Sequence, residues 1–320
     1  MSSAQQLAGA STTNAGELEL TAGATLPSCP LCGSVRTRTA FSDNGCTLRN
    51  CETCELFFVS PYPASSHQHA RVSTGACTEI EILDCLRRYQ GERLYYQRHL
   101  PAILEELAGA RTLLDVGCGT GRLLESLSSR TELLRMGIEL SPQPAEHARK
   151  IARCKVLEIP MEQYRGSQQF DAITLINVLS HIPSFDGLFR SLRAALAPGG
   201  KVILRTSEMS AGVSRWNQVH WGIPDDLHFL GLGTLDFLCA KYGFTIVRHI
   251  RTPYEDELFR PSRWQQQGRN PLHNAIKAAG LRIPGALPGL KRLYTAALGR
   301  RLFVSFAVLQ AGTQSQPHPK

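Results

Sequence analysis

The chain has 320 residues, 42% of them hydrophobic and 19% charged, enough for one large α/β domain beside a small accessory module. No run of about 18 apolar residues occurs, which excludes a helical membrane span. The formal charge of +8 is unevenly placed: Arg260 to Arg301 holds nine Lys/Arg and no acid, and the remainder carries 26 basic against 27 acidic residues.

In chain order, the opening "MSSAQQLAGASTTNAGELELTAGA" lacks the basic start and apolar middle of a secretion signal. A cytoplasmic location is therefore expected, with residues 1–26 disordered. In a reducing compartment the ten cysteines point to metal ligation or packing rather than to disulfides. "CPLC" at 29–32 and "CETC" at 51–54 enclose eighteen residues, the C-x2-C-x15–20-C-x2-C spacing of a zinc ribbon. Each knuckle turns two sulfurs to one side of a bend, and two knuckles complete a tetrahedral thiolate cage. Cys29, Cys32, Cys51 and Cys54 are thus the expected ligands of one structural Zn2+ in a ribbon spanning 27–62. Cys46 lies in the hairpin between the knuckles, and its part in the site stays open.

Residues 63–110 follow as a helical linker, with "CLRRYQGERLYYQRHLPAILEEL" reading as an amphipathic helix. Next comes "LLDVGCGTG" at 113–121, a strand end, a tight glycine turn and the start of a helical pattern. Gly117, Gly119 and Gly121 give G-x-G-x-G, where dinucleotide binders have G-x-G-x-x-G. Strand and helix patterns then alternate, the mark of a parallel sheet covered on both faces. The strands are "RTLLDVG", "LLRMGIEL", "KVLEI", "FDAITLINVL", "KVILRT", "FTIVRHI" and, last, "LFVSFAVLQ"; helices are expected at 120–129, 142–152, 184–196 and 233–242. The predicted fold class is α/β: a Rossmann-like, seven-stranded, mostly parallel sheet with helices on both faces, plus the ribbon. Glu139 ends the second strand, eighteen positions past Gly121, where an acid accepts the ribose hydroxyls of an adenosine-containing ligand.

"LLDVGCGTG", "GIELS", "FDAITLINVLSHI" and "LRAALAPGGKVILRT" occur in order over residues 85–252. Together they resemble the motifs of class I S-adenosylmethionine-dependent methyltransferases. The ribbon running into "CELFFVSPYP", and "HWGIPDDLHFLGLGTLDFLCAKYGF", are similar to a bacterial subgroup that carries an N-terminal zinc ribbon. The resemblance implies S-adenosylmethionine as cofactor. It implies that Asp115, Gly117, Gly119 and Gly121 surround the methionine part and that Glu139 holds the ribose. Glu158 or Glu162 then faces the adenine amino group, with Met161 beside the ring, and Asn177, Leu179 and Ser180 lie beneath the reacting methyl. It also implies that the linker helix covers the cofactor, which brings Tyr89, Tyr95 or Tyr96 to the pocket wall, the other reading being that aromatics at this helical spacing pack as core.

Three histidines are candidate general bases: His181 after the fourth strand, and His220 and His228 before the helix at 233–242. His181 falls where the family often has a Glu-His pair, with Ser180 in place of the Glu. Trp216, His220 and Trp221 form a loop that either closes over an acceptor or packs on the fifth strand. The methyltransferase domain is expected over 111–255 and 300–310, interrupted by a basic helical insert at 256–299 and followed by a disordered tail at 311–320. The insert reads as a helical lid, an anion-seeking surface or a peripheral membrane face.

The leading functional reading is methyl transfer to a small molecule, with oxygen as acceptor atom. An RNA methyltransferase carrying a zinc ribbon is the alternative, although the fourth strand ends "INVLS" without the Asn/Asp-Pro-Pro-aromatic turn of exocyclic-amine methylation. A cofactor-binding protein without catalysis is the third reading.

Overall fold

The computed structural model describes residues 25–43, 45–62, 99–214, 223, 226–254, 278 and 282–312. Tyr89, Tyr95, Tyr96, Trp216, His220 and Trp221, both chain ends and most of the linker and insert lie outside the described residues.

Strands β1 (Thr37–Asp43), β2 (Cys46–Cys51) and β3 (Phe57–Ser60) form an antiparallel meander at the front. Then come β4 (Thr112–Val116), α1 (Arg122–Ser126), β5 (Leu134–Ile138), α2 (Pro142–Ala152), β6 (Lys155–Leu157) and β7 (Phe170–Ile176). A 3-10 turn at Leu179–His181 leads to α3 (Phe185–Ala195), β8 (Leu196–Met209), β9 (His228–Gly231), α4 (Thr234–Tyr242) and β10 (Phe244–Pro253). The chain closes with α5 (Ala286–Leu298) and β11 (Leu302–Ala311).

The expected seven strands undercount the sheet, which has eleven among the described residues. Five pair in parallel in the order β6-β5-β4-β7-β8, β11 runs antiparallel beside β8, and β10 pairs β11 at the edge. The other four enter through β9, which pairs in parallel with the end of β8 and antiparallel with β3. Each ladder is made by backbone groups and leaves no side-chain mark, so the join between ribbon and main sheet is not written in any motif.

Side chains alternate across the central strands and divide into two cores. Leu114, Ile173 and Leu204 join α3 and α4 on one face, while Leu113, Ala172 and Ile203 join α1, α2 and the helical residues 99–106 on the other. Burial on both faces explains why these strands read as near-continuous apolar runs. The ribbon shares the first core: Leu31, Leu56, Phe58 and Tyr62 lie in one cluster with Leu227, Leu230, Leu235 and Leu238. It is therefore packed into the larger unit rather than tethered to it.

Candidate functional site

The strand order reverses at β4: β5 and β6 lie to one side, β7 and β8 to the other. Ligands of open α/β sheets bind in the crevice at the carboxyl ends of the strands beside such a reversal. The glycine turn follows β4 there, opposite the ends of β5 and β7, with Val116 registered against Ile138 and its neighbour in β7 being Leu175.

Gly117, Gly119 and Gly121 all adopt positive φ, at 69°, 53° and 84°. The turn is held to the neighbouring strand, with Gly117 and Cys118 both donating their N–H to the Ile138 carbonyl at 2.8 and 3.0 Å. Gly121 lies so close to α2 that a Cβ there would stand 2.7 Å from the Ala148 Cα. A Cβ on Gly117 would meet the Val178 side chain at 2.5 Å. Glycine is required at both positions by conformation and by space.

Glu139, one residue past β5, accepts the Gly119 N–H at 2.9 Å and the Ser141 N–H at 2.8 Å. Those two bonds pin the carboxylate at the lip of the crevice, and a carboxylate has about four acceptor positions, so two remain for hydroxyl groups. Asp115 is buried under the turn and accepts the Thr174 hydroxyl at 2.7 Å. Burial raises its carboxyl to about 7; the Thr174 bond opposes the rise and the Glu139 charge adds to it.

Asn177, one residue past β7, is exposed and has φ 59°, a left-handed conformation that Asn tolerates better than most residues. Its N–H bonds the Arg205 carbonyl, and its side-chain oxygen accepts from the Arg205 guanidinium. Arg205 is buried in β8 and also donates to His99 Nδ1 at 3.2 Å, while His99 stacks on Phe306. The sequence reading missed Arg205 and His99. The available signal was an arginine inside the apolar run "KVILRT", whose partners are 28 and 106 residues away.

Of the adenine-side candidates, Met161 is buried, whereas Glu158 is exposed and paired with Arg149 at 2.6 Å. Glu162 is half-buried against Gly187, and desolvation raises its carboxyl above the ordinary range. Leu179 is buried and Ser180 accepts the Leu227 N–H at 2.7 Å.

The described histidine candidates have opposite surroundings. His181 is half-exposed, with Nε2 3.7 Å from the Asp226 carboxylate. His228 is 1% exposed, with its ring centroid 4.9 Å from that of Phe185 and 6.0 Å from that of Tyr62. Burial lowers its imidazole to about 3. Asp226 and Tyr62 were also missed by the sequence reading; Asp226 comes beside His181 where the Leu227 N–H bonds the Ser180 carbonyl, and Tyr62 comes beside His228 through the β3–β9 pairing.

In the ribbon, the four sulfurs of Cys29, Cys32, Cys51 and Cys54 all lie within 4.8 Å of one another. The Cys29–Cys54 and Cys32–Cys51 separations are both 3.5 Å. A tetrahedron with bonds of about 2.3 Å has edges of about 3.8 Å, so the donor set fits Zn2+ in both chemistry and size. Cys46 is not in the cluster.

Comparison with known proteins gives this geometry its context. The chain is 38% identical over 112 residues to the ubiquinone biosynthesis O-methyltransferase of Xanthomonas euvesicatoria pv. vesicatoria, covering 32% of this chain and 44% of that one. It is 31% identical over 138 residues to the protein of the same name from Histophilus somni, covering 40% and 57%. The matches thus span about half the length of these relatives. Among solved structures, Haemonchus contortus phosphoethanolamine N-methyltransferase 2 in complex with S-adenosyl-L-methionine aligns with a TM-score of 0.51 at 20% identity, over 68% of this chain and 53% of that one. Streptomyces coelicolor geranyl diphosphate C-methyltransferase aligns with a TM-score of 0.51 at 14% identity, over 67% and 77%. At such identities these two likenesses speak for the fold alone. A family model described as a methyltransferase domain matches residues 87–249, more than half of the chain, and to that family the protein belongs.

Proposed function

We propose that the protein transfers a methyl group from S-adenosylmethionine to a hydroxyl oxygen of a small molecule, within a biosynthetic pathway. The observation that carries this reading is the Glu139 carboxylate, fixed by Gly119 and Ser141 amides at the strand-order reversal, with acceptor positions left for two ribose hydroxyls. The O-methyltransferase names of the two relatives support oxygen as the acceptor atom.

When bound, S-adenosylmethionine supplies an electrophilic methyl on a sulfonium. Residues of this chain supply position and a proton acceptor. Glu139 holds the ribose, the turn from Gly117 to Gly121 lines the methionine part with Asp115 beneath it, and Met161 packs by the adenine. Glu158, engaged with Arg149, contributes to the rim of that side. Asn177, braced by Arg205, shapes the floor under the methyl. Alignment of this kind is worth up to roughly 7–11 kcal/mol of barrier in well-oriented systems.

His181 takes the acceptor's proton on a ring nitrogen as the oxygen gains the methyl, and Asp226 stabilises the resulting cation. His228, shut from solvent and neutral down to about pH 3, serves as a wall of the site instead. His220 stands as the alternative base. The ribbon holds one structural Zn2+ through Cys29, Cys32, Cys51 and Cys54.

Calorimetry tests the cofactor: S-adenosylmethionine should bind and NAD should not. Glu139→Ala should weaken binding by roughly 1.5–3 kcal/mol for each charged hydrogen bond removed. Equal binding of NAD, or an unchanged affinity in the variant, removes the basis of the reading. Metal analysis should find one zinc per chain, lost in Cys29→Ser.

A further inference from the structure

Helix α5 differs from the other helices in what it leaves uncovered. None of its described side chains is fully buried. Leu290 and Leu293 are 39% and 69% exposed, and Ile283, just before the helix, is 61% exposed. Arg282, Arg292 and Arg300 are exposed beside them. This short stretch falls in the segment from Arg260 to Arg301 that has nine basic residues and no acid. No described helix is long and apolar enough to cross a membrane, so a spanning role does not account for these side chains.

The placement of α5 adds a second observation. Its C-terminal end runs into β11, whose first residue, Leu302, registers against Met209 at the carboxyl end of β8. Arg301 fastens the junction by donating to the Ala211 carbonyl at 3.0 Å and accepting the Ser210 N–H at 2.8 Å. The helix is thus anchored at the end of the sheet where Glu139, Asn177 and His181 lie.

We propose that α5, with residues 282–285, docks on an anionic lipid surface, Leu290, Leu293 and Ile283 entering the headgroup boundary and Arg282, Arg292 and Arg300 meeting lipid phosphates. Exposed aliphatic side chains flanked by arginines fit such a surface better than RNA, which rewards aromatic stacking. They also fit it better than a second copy of the chain, since a two-fold contact would bring like charges together. The docked helix holds the open end of the site near the bilayer, where an amphiphilic acceptor would be met. The proposal is independent of which atom is methylated.

The test is co-sedimentation of the full chain with phosphatidylglycerol vesicles and with phosphatidylcholine vesicles. The protein should pellet with the first and not the second, and should be released by salt. Leu290→Glu with Leu293→Glu should weaken binding about tenfold or more, and Arg292→Gln with Arg300→Gln by a similar factor. S-adenosylmethionine affinity should stay unchanged in both, which reports intact folding; if the leucine pair fails that control, the arginine pair decides. Equal binding to both vesicles, binding retained in the decisive variant, or a dimer that the same variant dissociates would each overturn the proposal.

Discussion

At the scale of the residue, the chemistry rests on groups held by short-range partners. Asp115 illustrates how burial and pH meet. Its carboxyl is raised by desolvation to about 7 from an ordinary 3.8. Between those values the folded state holds a proton that the unfolded state has released, so this group lowers stability as pH rises from about 4 to about 7. Asp115→Asn keeps a side-chain oxygen for Thr174 and cannot ionise. Its stability relative to the parent should therefore increase from pH ~5 to pH ~8 in denaturant melts; parallel curves would refute the ionisation. His181 carries a different expectation. If it accepts the acceptor's proton, His181→Ala should lower turnover roughly 10²-fold or more while S-adenosylmethionine affinity barely moves. Turnover near the parent's would pass the role to His220 or leave alignment alone to carry the reaction.

At the scale of the element, the glycine turn is the most constrained piece of the site. Gly121→Ala places a methyl group 2.7 Å from the α2 backbone at a φ of 84°, where neither partner can yield cheaply. The substitution should cost about 1–3 kcal/mol of stability and weaken cofactor binding with it. Gly119→Ala meets no atom within 4 Å, so its penalty should be the smaller one, from backbone conformation alone. Equal unfolding midpoints for the two variants would contradict the packing argument. This turn was legible in the sequence because three glycines in five positions have a mechanical reason to be there. Helix α2 and strands β4 to β8 were legible through period and apolar content. Helix α1 has five residues where ten were expected, and β9, a four-residue strand buried throughout, has no alternation to betray it. Asp226 and Tyr62 were illegible for a related reason: Tyr62 nears His228 through a backbone pairing across more than 160 residues, and Asp226 nears His181 through the backbone bond from Leu227 to Ser180.

At the scale of the molecule, the ribbon and the main sheet form one continuous structure, and that has a thermodynamic consequence. Phe57 and Phe58 pair with Phe229 and His228, and β9 in turn lies beside Glu208 and Met209 of β8. Side chains reinforce the seam: Thr234 donates to the Cys54 carbonyl at 2.7 Å, Lys241 to the Leu31 carbonyl at 2.8 Å, and Glu55 accepts the Gly233 N–H at 2.9 Å. Gly231 passes so near Glu55 that a Cβ there would stand 2.2 Å from its carbonyl oxygen. Each of these contacts involves a cysteine knuckle or the residue after it, so loosening the cysteine cluster should loosen the seam. If that cluster holds the proposed zinc, chelating it, or replacing Cys54 with Ser, should then lower the melting temperature of the whole chain rather than release the ribbon alone. For a domain of this size about 1 kcal/mol moves the midpoint by about 2–4 °C, and a structural zinc is worth more than that. Calorimetry should show a single transition shifted downward. A low-temperature transition for the ribbon, followed by an unshifted main one, would mean that the two parts unfold independently despite their shared core.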